Sequence, residues 1–97
     1  MLFMTIMKPK SVRTTEDQKK TLALWAKWTP PKGLEIKSYH LAPDGRGFIL
    51  AEADSAEAIM ESQAPWAGIY IDFEVTPVVP VEKAVELITK GIAIREG

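Results

Sequence analysis

Four side chains of this sequence have the chemistry for proton transfer. His40 is the single histidine, the residue type whose charge changes near neutral pH. Beside a pocket it could serve as a general base or a haem ligand. The plainer assignment is an idle imidazole at a hairpin mouth, since no partner for it stands out along the chain. Glu52, Asp72 and Glu74 are the second set. Gathered on one sheet face, their like charges would raise the pKa of one member and suit it to proton transfer. The alternative is edge charge that keeps strands soluble, or ion pairs with Lys37 across a dimer.

Five aromatic residues could wall a ligand cleft: Phe3, Tyr39, Phe48, Trp66 and Tyr70. Trp66 follows Pro65 in a short loop, where it would act as a stacking wall or as a plug for the core. The two tyrosines suit a pocket or an interface equally. Trp25 reads as core, and Trp28 as closing the corner made by Pro30-Pro31. Gly45-Arg46-Gly47 falls far short of a phosphate loop and sits in a hairpin, so it reads as a turn. H-E-x-x-H and G-x-S-x-G are missing, and there is no cysteine. Disulfides, redox thiols and cysteine-held zinc are thereby excluded. No metal site and no cofactor are expected.

Those side chains need elements to hold them. Residues 1–7 alternate as a strand, with Leu2, Met4 and Ile6 on one face and Phe3, Thr5 and Met7 on the other. Thr15 and Gln18 have capping-box spacing. Leu22, Trp25, Ala26 and Thr29 follow as a helical stripe, ended by Pro30-Pro31. Residues 34–41 and 47–53 read as a hairpin around Pro43-Asp44-Gly45. Asp54 suits an N-cap, and the second helix stops at Ala64-Pro65. Residues 69–76 form a fourth strand. Pro80 opens a last helix with Val81, Ala84, Val85 and Ile88 on one side, stopped at Gly91 with Ile92 as a clasp.

The chain of 97 residues is one domain by size, residues 1–97. Its β-α-β-β-α-β order with a terminal helix gives an α+β fold, the ferredoxin-like split βαβ. Right-handed crossovers then set an antiparallel four-stranded sheet in the order 4-1-3-2. Two helices cover one face. By strand parity the other face shows Phe3, Met7, Tyr39, Phe48, Leu50 and Tyr70, with His40 turned toward the helices. An apolar patch of that size is at the upper limit for a monomer. A second copy would cover it, leaving Glu52, Asp72 and Glu74 at a wet rim; the competing cover is the terminal helix folded over its own sheet. Net charge is −1 overall. The basic first half and acidic second half read as interleaved in one fold. The short apolar start lacks the features of a signal peptide, and no stretch approaches a membrane span. The expectation is a cytoplasmic homodimer without a membrane partner.

Several segments carry a family resemblance: Met1-Leu2-Phe3-Met4, Pro31-Lys32-Gly33-Leu34, Asp44-Gly45-Arg46-Gly47-Phe48, Glu52-Ala53-Asp54, Ala64-Pro65-Trp66-Ala67 and Phe73-Glu74-Val75-Thr76-Pro77-Val78. Through them the chain resembles an uncharacterised bacterial domain-of-unknown-function family in the dimeric α/β-barrel superfamily. The resemblance implies a ferredoxin-like fold that pairs as a dimeric barrel. It implies no activity, because that family has no catalytic residues to carry over. The leading expectation is a small, partly aromatic ligand in a cleft at the sheet face. A cofactor-independent enzyme, of monooxygenase or isomerase type, is the alternative. An RNA-recognition-like module is the third, suggested by Arg46-Gly47-Phe48 on the third strand. Nucleic acid is not the expected partner, because Leu50 stands where a second aromatic is needed and the three carboxylates would repel phosphate.

Overall fold

The computed structural model describes residues 1–10 and 14–97. Its elements are β1 (Leu2–Pro9), α1 (Thr15–Lys27), β2 (Leu34–Leu41), β3 (Gly47–Ala53), α2 (Ala56–Gln63), β4 (Ile71–Val78) and α3 (Val81–Glu96). The sheet is antiparallel throughout, ordered β2-β3-β1-β4. This is the ferredoxin-like 4-1-3-2 arrangement.

Local chemistry explains the element ends. Thr14, not Thr15, caps α1. Its hydroxyl accepts the Asp17 amide at 3.0 Å, and the Asp17 carboxylate accepts the Thr14 amide at 3.1 Å. The reciprocal pair needs an N-cap three residues before its acid, and Thr14/Asp17 meets that one residue earlier than Thr15/Gln18. Ser55 rather than Asp54 caps α2, accepting from the Ala58 amide at 3.2 Å. The β2–β3 turn closes with the Gly45 amide donating to the Ala42 carbonyl at 2.9 Å and with Gly45 at φ 91°. A side chain would be strained there.

Two further boundaries differ from the sequence reading. The residues before β4 form a turn anchored on the Trp66 carbonyl, which accepts from the amides of Ile69, Tyr70 and Ile71. Tyr70 therefore precedes the strand instead of belonging to it. α3 runs through Gly91 to Glu96, because an isolated glycine costs a helix only about 1 kcal/mol and the residues after it are good helix formers.

Register decides the two faces of the sheet. Phe3 lies opposite Ala51 and Thr5 opposite Ile49, whereas Ile6 lies opposite Phe48 and Met4 opposite Leu50. Phe3, Ala53 and Ile59 form the buried core with Leu34 against them. Phe3, Met7 and Tyr39 thus face the helices, and the open face carries Leu2, Met4, Ile6, Phe48 and Leu50. This corrects the parity assignment. β3 reads Gly-Phe-Ile-Leu-Ala, apolar on both sides, so alternation alone gives no preference. The small side chains of Ala51 and Ala53 make room for Phe3 beneath α2.

His40 is also placed opposite to its parity. β2 shifts register between Ile36 and Ser38, and a bulge of one residue inverts the face of everything after it. Leu34 and Ile36 face the helices; beyond the bulge Tyr39 and Leu41 do so, and His40 joins Phe48 on the open face.

The core is thin for this chain length. α1 and α3 bury no residue. The chain exposes 6998 Å², whereas a compact monomer of its mass exposes roughly 5,500 Å². Its radius of gyration is 16.8 Å, against about 12.5 Å for a compact chain of this length.

Candidate functional site

The gap between α1 and the sheet is the site. It encloses a cavity of about 710 Å³, within the range of small-molecule pockets. The sheet, two helices and a turn build it. The floor is the helix-side face of the sheet: Phe3, Thr5 and Met7 of β1, Ile36 and Tyr39 of β2, Ile49 and Ala51 of β3, and Phe73 of β4. α1 supplies Gln18, Thr21, Leu22, Trp25 and Trp28; α2 supplies Ile59, Ser62 and Gln63; and the turn before β4 supplies Trp66.

The aromatic side chains form one connected wall. Tyr39 meets Trp25 edge-on with centroids 5.4 Å apart. Trp25 stacks on Trp28 at 5.4 Å and 15°. Trp28 meets Trp66 at 6.2 Å and 59°. All three tryptophans of the chain therefore border the same space. Trp66 is buried, and its indole N–H donates to the Thr21 carbonyl at 3.3 Å, tying the turn to α1. Trp25 is 46% exposed, so it is a cavity wall and not core as its helical position suggested. Its stripe-mates are Gln18, Thr21, Leu22 and Trp28, a face rotated from the one read off Leu22, Ala26 and Thr29.

Few polar side chains line this space: Thr5, Gln18, Thr21, Tyr39, Ser62 and Gln63. The Thr21 hydroxyl donates to the Asp17 carbonyl at 3.0 Å, and the Ser62 hydroxyl to the Ile59 carbonyl at 2.6 Å. Tyr39 is different. Its hydroxyl donates to the Met7 thioether sulfur at 3.4 Å, a weak acceptor. A ligand oxygen would take that donor readily. Burial pushes the Tyr39 phenol above its ordinary pKa, so it stays a proton donor at neutral pH. Tyr39 is the one titratable side chain in the cavity lining among the described residues.

The five aromatic candidates consequently divide. Phe3, Tyr39 and Trp66 come together in the cavity. Phe48 lies on the opposite face under the Arg46 guanidinium, 5.5 Å from its ring centre, and Tyr70 sits in the turn outside the lining. Sequence reasoning missed Trp25, Trp28 and Phe73. The signal was present for the first two, since Gln18, Thr21, Leu22, Trp25 and Trp28 repeat at helical intervals.

The proton-transfer candidates lie away from the cavity and from one another. Glu52 pairs with the Met1 amine at 3.1 Å, Glu74 with Lys8 at 2.8 Å, and Asp72 with Lys10 at 2.7 Å. Each carboxylate has its own cation and none forms a shared acidic cluster. Lys8 holds the Glu74 carboxyl below its usual range, through its hydrogen bond and then its charge, the reverse of the raised pKa a general acid needs. Lys37 pairs with Glu35 at 3.3 Å. The Lys8 and Lys10 pairs join a base of the first half to an acid of the second, which is how the two charged halves interleave. Among the described residues no group of three or more His, Asp or Glu is arranged to hold a metal ion, and no helix is long and apolar enough to cross a membrane.

Residues 1–92 match a family model described as Domain of unknown function (DUF3303). The chain belongs to the DUF3303 family. No curated protein and no solved structure matches it. What the DUF3303 domain can do is therefore carried by its geometry: a tryptophan-walled, largely apolar cavity with one phenol whose hydrogen bond is easily exchanged.

Proposed function

We propose that this DUF3303 domain binds a small, flat, partly aromatic molecule in the cavity between α1 and the sheet. We further propose that it works as a homodimer, in a cytoplasmic setting that its cysteine-free sequence suits. The observation that carries the ligand reading is the continuous Tyr39–Trp25–Trp28–Trp66 wall around about 710 Å³. Ring stacking on tryptophan favours a flat apolar ligand, and the Tyr39 hydroxyl favours one bearing an acceptor oxygen. The cleft lies on the helix side of the sheet and not on the open face that strand parity suggests. The homodimer is supported by the surface the chain leaves uncovered, roughly 1,500 Å² beyond a compact monomer.

The competing readings have less to stand on. A cofactor-independent enzyme would have to rely on Tyr39 as its acid–base group, since His40, Glu52, Asp72 and Glu74 lie elsewhere. An RNA platform would have Phe48 as the aromatic of the four strands on the open face, with Asp72 and Glu74 beside it.

Tryptophan fluorescence tests the ligand reading directly, because every indole of the chain borders the cavity. With 2-naphthol as the probe, saturable quenching is expected. Trp25→Ala removes a stacking partner worth about 1 kcal/mol and should weaken binding about fivefold. Quenching that rises linearly without saturation, as for free tryptophan in solution, would refute the cavity as a binding site.

A further inference from the structure

We propose that α3 is an exchange helix: in the homodimer it crosses to the second copy and lies along the open β1–β3 stripe of that copy's sheet. The inference rests on the homodimer proposed above and names the segment that makes it.

Among the described residues each chain carries two apolar surfaces left largely uncovered, and its own geometry keeps them apart. The first is the open-face stripe of Leu2, Met4, Ile6, Phe48 and Leu50. The second is the α3 stripe of Val81, Ala84, Val85, Ile88 and Ile92, of which Val81, Val85, Ile88 and Ile92 are each at least 40% exposed. Only Val79 and Pro80 link β4 to α3, and Pro80 is extended at φ −56° and ψ 147°. The helix accordingly runs outward, the molecule extends 59 Å along its longest axis, and α3 buries nothing.

The shape of the open stripe favours a helix as its occupant. It is two strands wide, about 10 Å, which matches the diameter of a helix of about 10–12 Å. On either side stand polar edge-strand side chains, with carboxylate charges among them: Glu35 beside His40 on β2, and Asp72 and Glu74 on β4. A whole sheet laid over this face would press those charges under its partner, at a desolvation cost. A helix on the central stripe leaves them at the margin in water. The polar side of α3 is already self-satisfied, with Glu86 between Lys83 at 3.7 Å and Lys90 at 3.9 Å, opposite its apolar stripe. A reciprocal exchange is a closed two-fold contact that uses both surfaces of both copies. The uncovered excess of roughly 1,500 Å² per chain exceeds the ~800 Å² per partner of a standard stable interface.

The cysteine-free sequence makes the test clean. Two single-cysteine full-length chains, Met4→Cys and an affinity-tagged Ile88→Cys, are co-expressed and treated with a short bis-maleimide linker. The expected product is the mixed M4C–I88C dimer in excess over either homogeneous one. A dominant M4C–M4C product from a protein that is dimeric by light scattering would overturn the exchange, because the sheets then meet directly, and would leave the homodimer standing. An intrachain link in the M4C/I88C double variant at high dilution would also overturn it, since α3 would then fold back on its own sheet. A monomer at every concentration removes both homodimer and exchange. Ile88→Glu is the second arm: a tenfold or greater weakening of the dimer is expected with circular dichroism unchanged, and an unaltered dissociation constant refutes the proposal.

Discussion

Replacing Phe3 by alanine separates the two possible faces of β1. Phe3 is 8% exposed and packs with Ala53, Ile59 and Leu34. Removing a nearly buried phenyl forfeits about 1.5–3 kcal/mol of transfer free energy. A closed core would add a penalty for the void, bringing such changes to about 3–5 kcal/mol. Here the phenyl already borders the open cavity, so its loss enlarges an existing space and creates no sealed one. The expected cost is therefore about 2–3 kcal/mol. At a urea m-value of about 1.5 kcal/mol/M the midpoint should fall by roughly 1.5–2 M. The total stability of a domain this size is about 5–15 kcal/mol, so the variant should still fold. Phe48→Ala is the control from the open face. Its effect should be smaller at low protein concentration and grow with concentration, because in the proposed homodimer the second copy shelters Phe48. A Phe3→Ala loss below about 1 kcal/mol, or a larger and concentration-dependent loss at Phe3 than at Phe48, would refute the register argument and with it the cavity floor.

Two other perturbations probe the cavity walls. The Tyr39 phenol has its pKa raised by burial, so the folded state holds its proton more tightly than the unfolded state does. The stability this confers is complete below the ordinary phenol range and is lost as pH rises through the raised value. Wild-type denaturation midpoints should drop more steeply above pH 10 than those of Tyr39→Phe, and equal slopes would contradict the burial. Thr14→Ala removes the α1 cap and should cost about 1 kcal/mol. With no α1 residue buried, that loss should appear as faster amide exchange confined to α1 and as weaker 2-naphthol quenching; exchange unchanged across α1 would show that the helix does not depend on its cap.

Element order and sheet topology were legible in the sequence because periodicity and punctuation agreed. Pro30-Pro31, Pro43-Asp44-Gly45 and Ala64-Pro65 each end an element where the alternation changes, and the handedness of crossovers leaves one sheet order. The faces were not legible. On β3 the run from Phe48 to Ala51 is apolar at every position, so no alternation marks a side; the choice is made by volume, with Ala51 and Ala53 receding to admit Phe3. On β2 one bulge between Ile36 and Ser38 reverses Tyr39 and His40 together. A bulge is a backbone event that side-chain alternation cannot announce. Those two facts account for why Phe3, Tyr39 and Trp66 meet in the cavity whereas Phe48 and His40 meet on the other side.

The same two facts bear on where chemistry can occur in this DUF3303 domain. The strands carry the acid–base side chains Glu52, Asp72, Glu74 and His40. Yet each of those carboxylates is matched to a cation at the surface, where exposed pairs contribute about 0–1 kcal/mol. The cavity is left with aromatic rings, aliphatic side chains, a few neutral polar groups and one phenol. Such a lining desolvates a ligand and orients it by ring contacts and a single hydrogen bond. α1, which buries none of its residues and carries two of the three indoles, is the wall whose position a ligand can change. Ligand occupancy should therefore be read most sensitively at α1, and the helix with the least packing of its own is the one that the bound molecule would do most to hold in place.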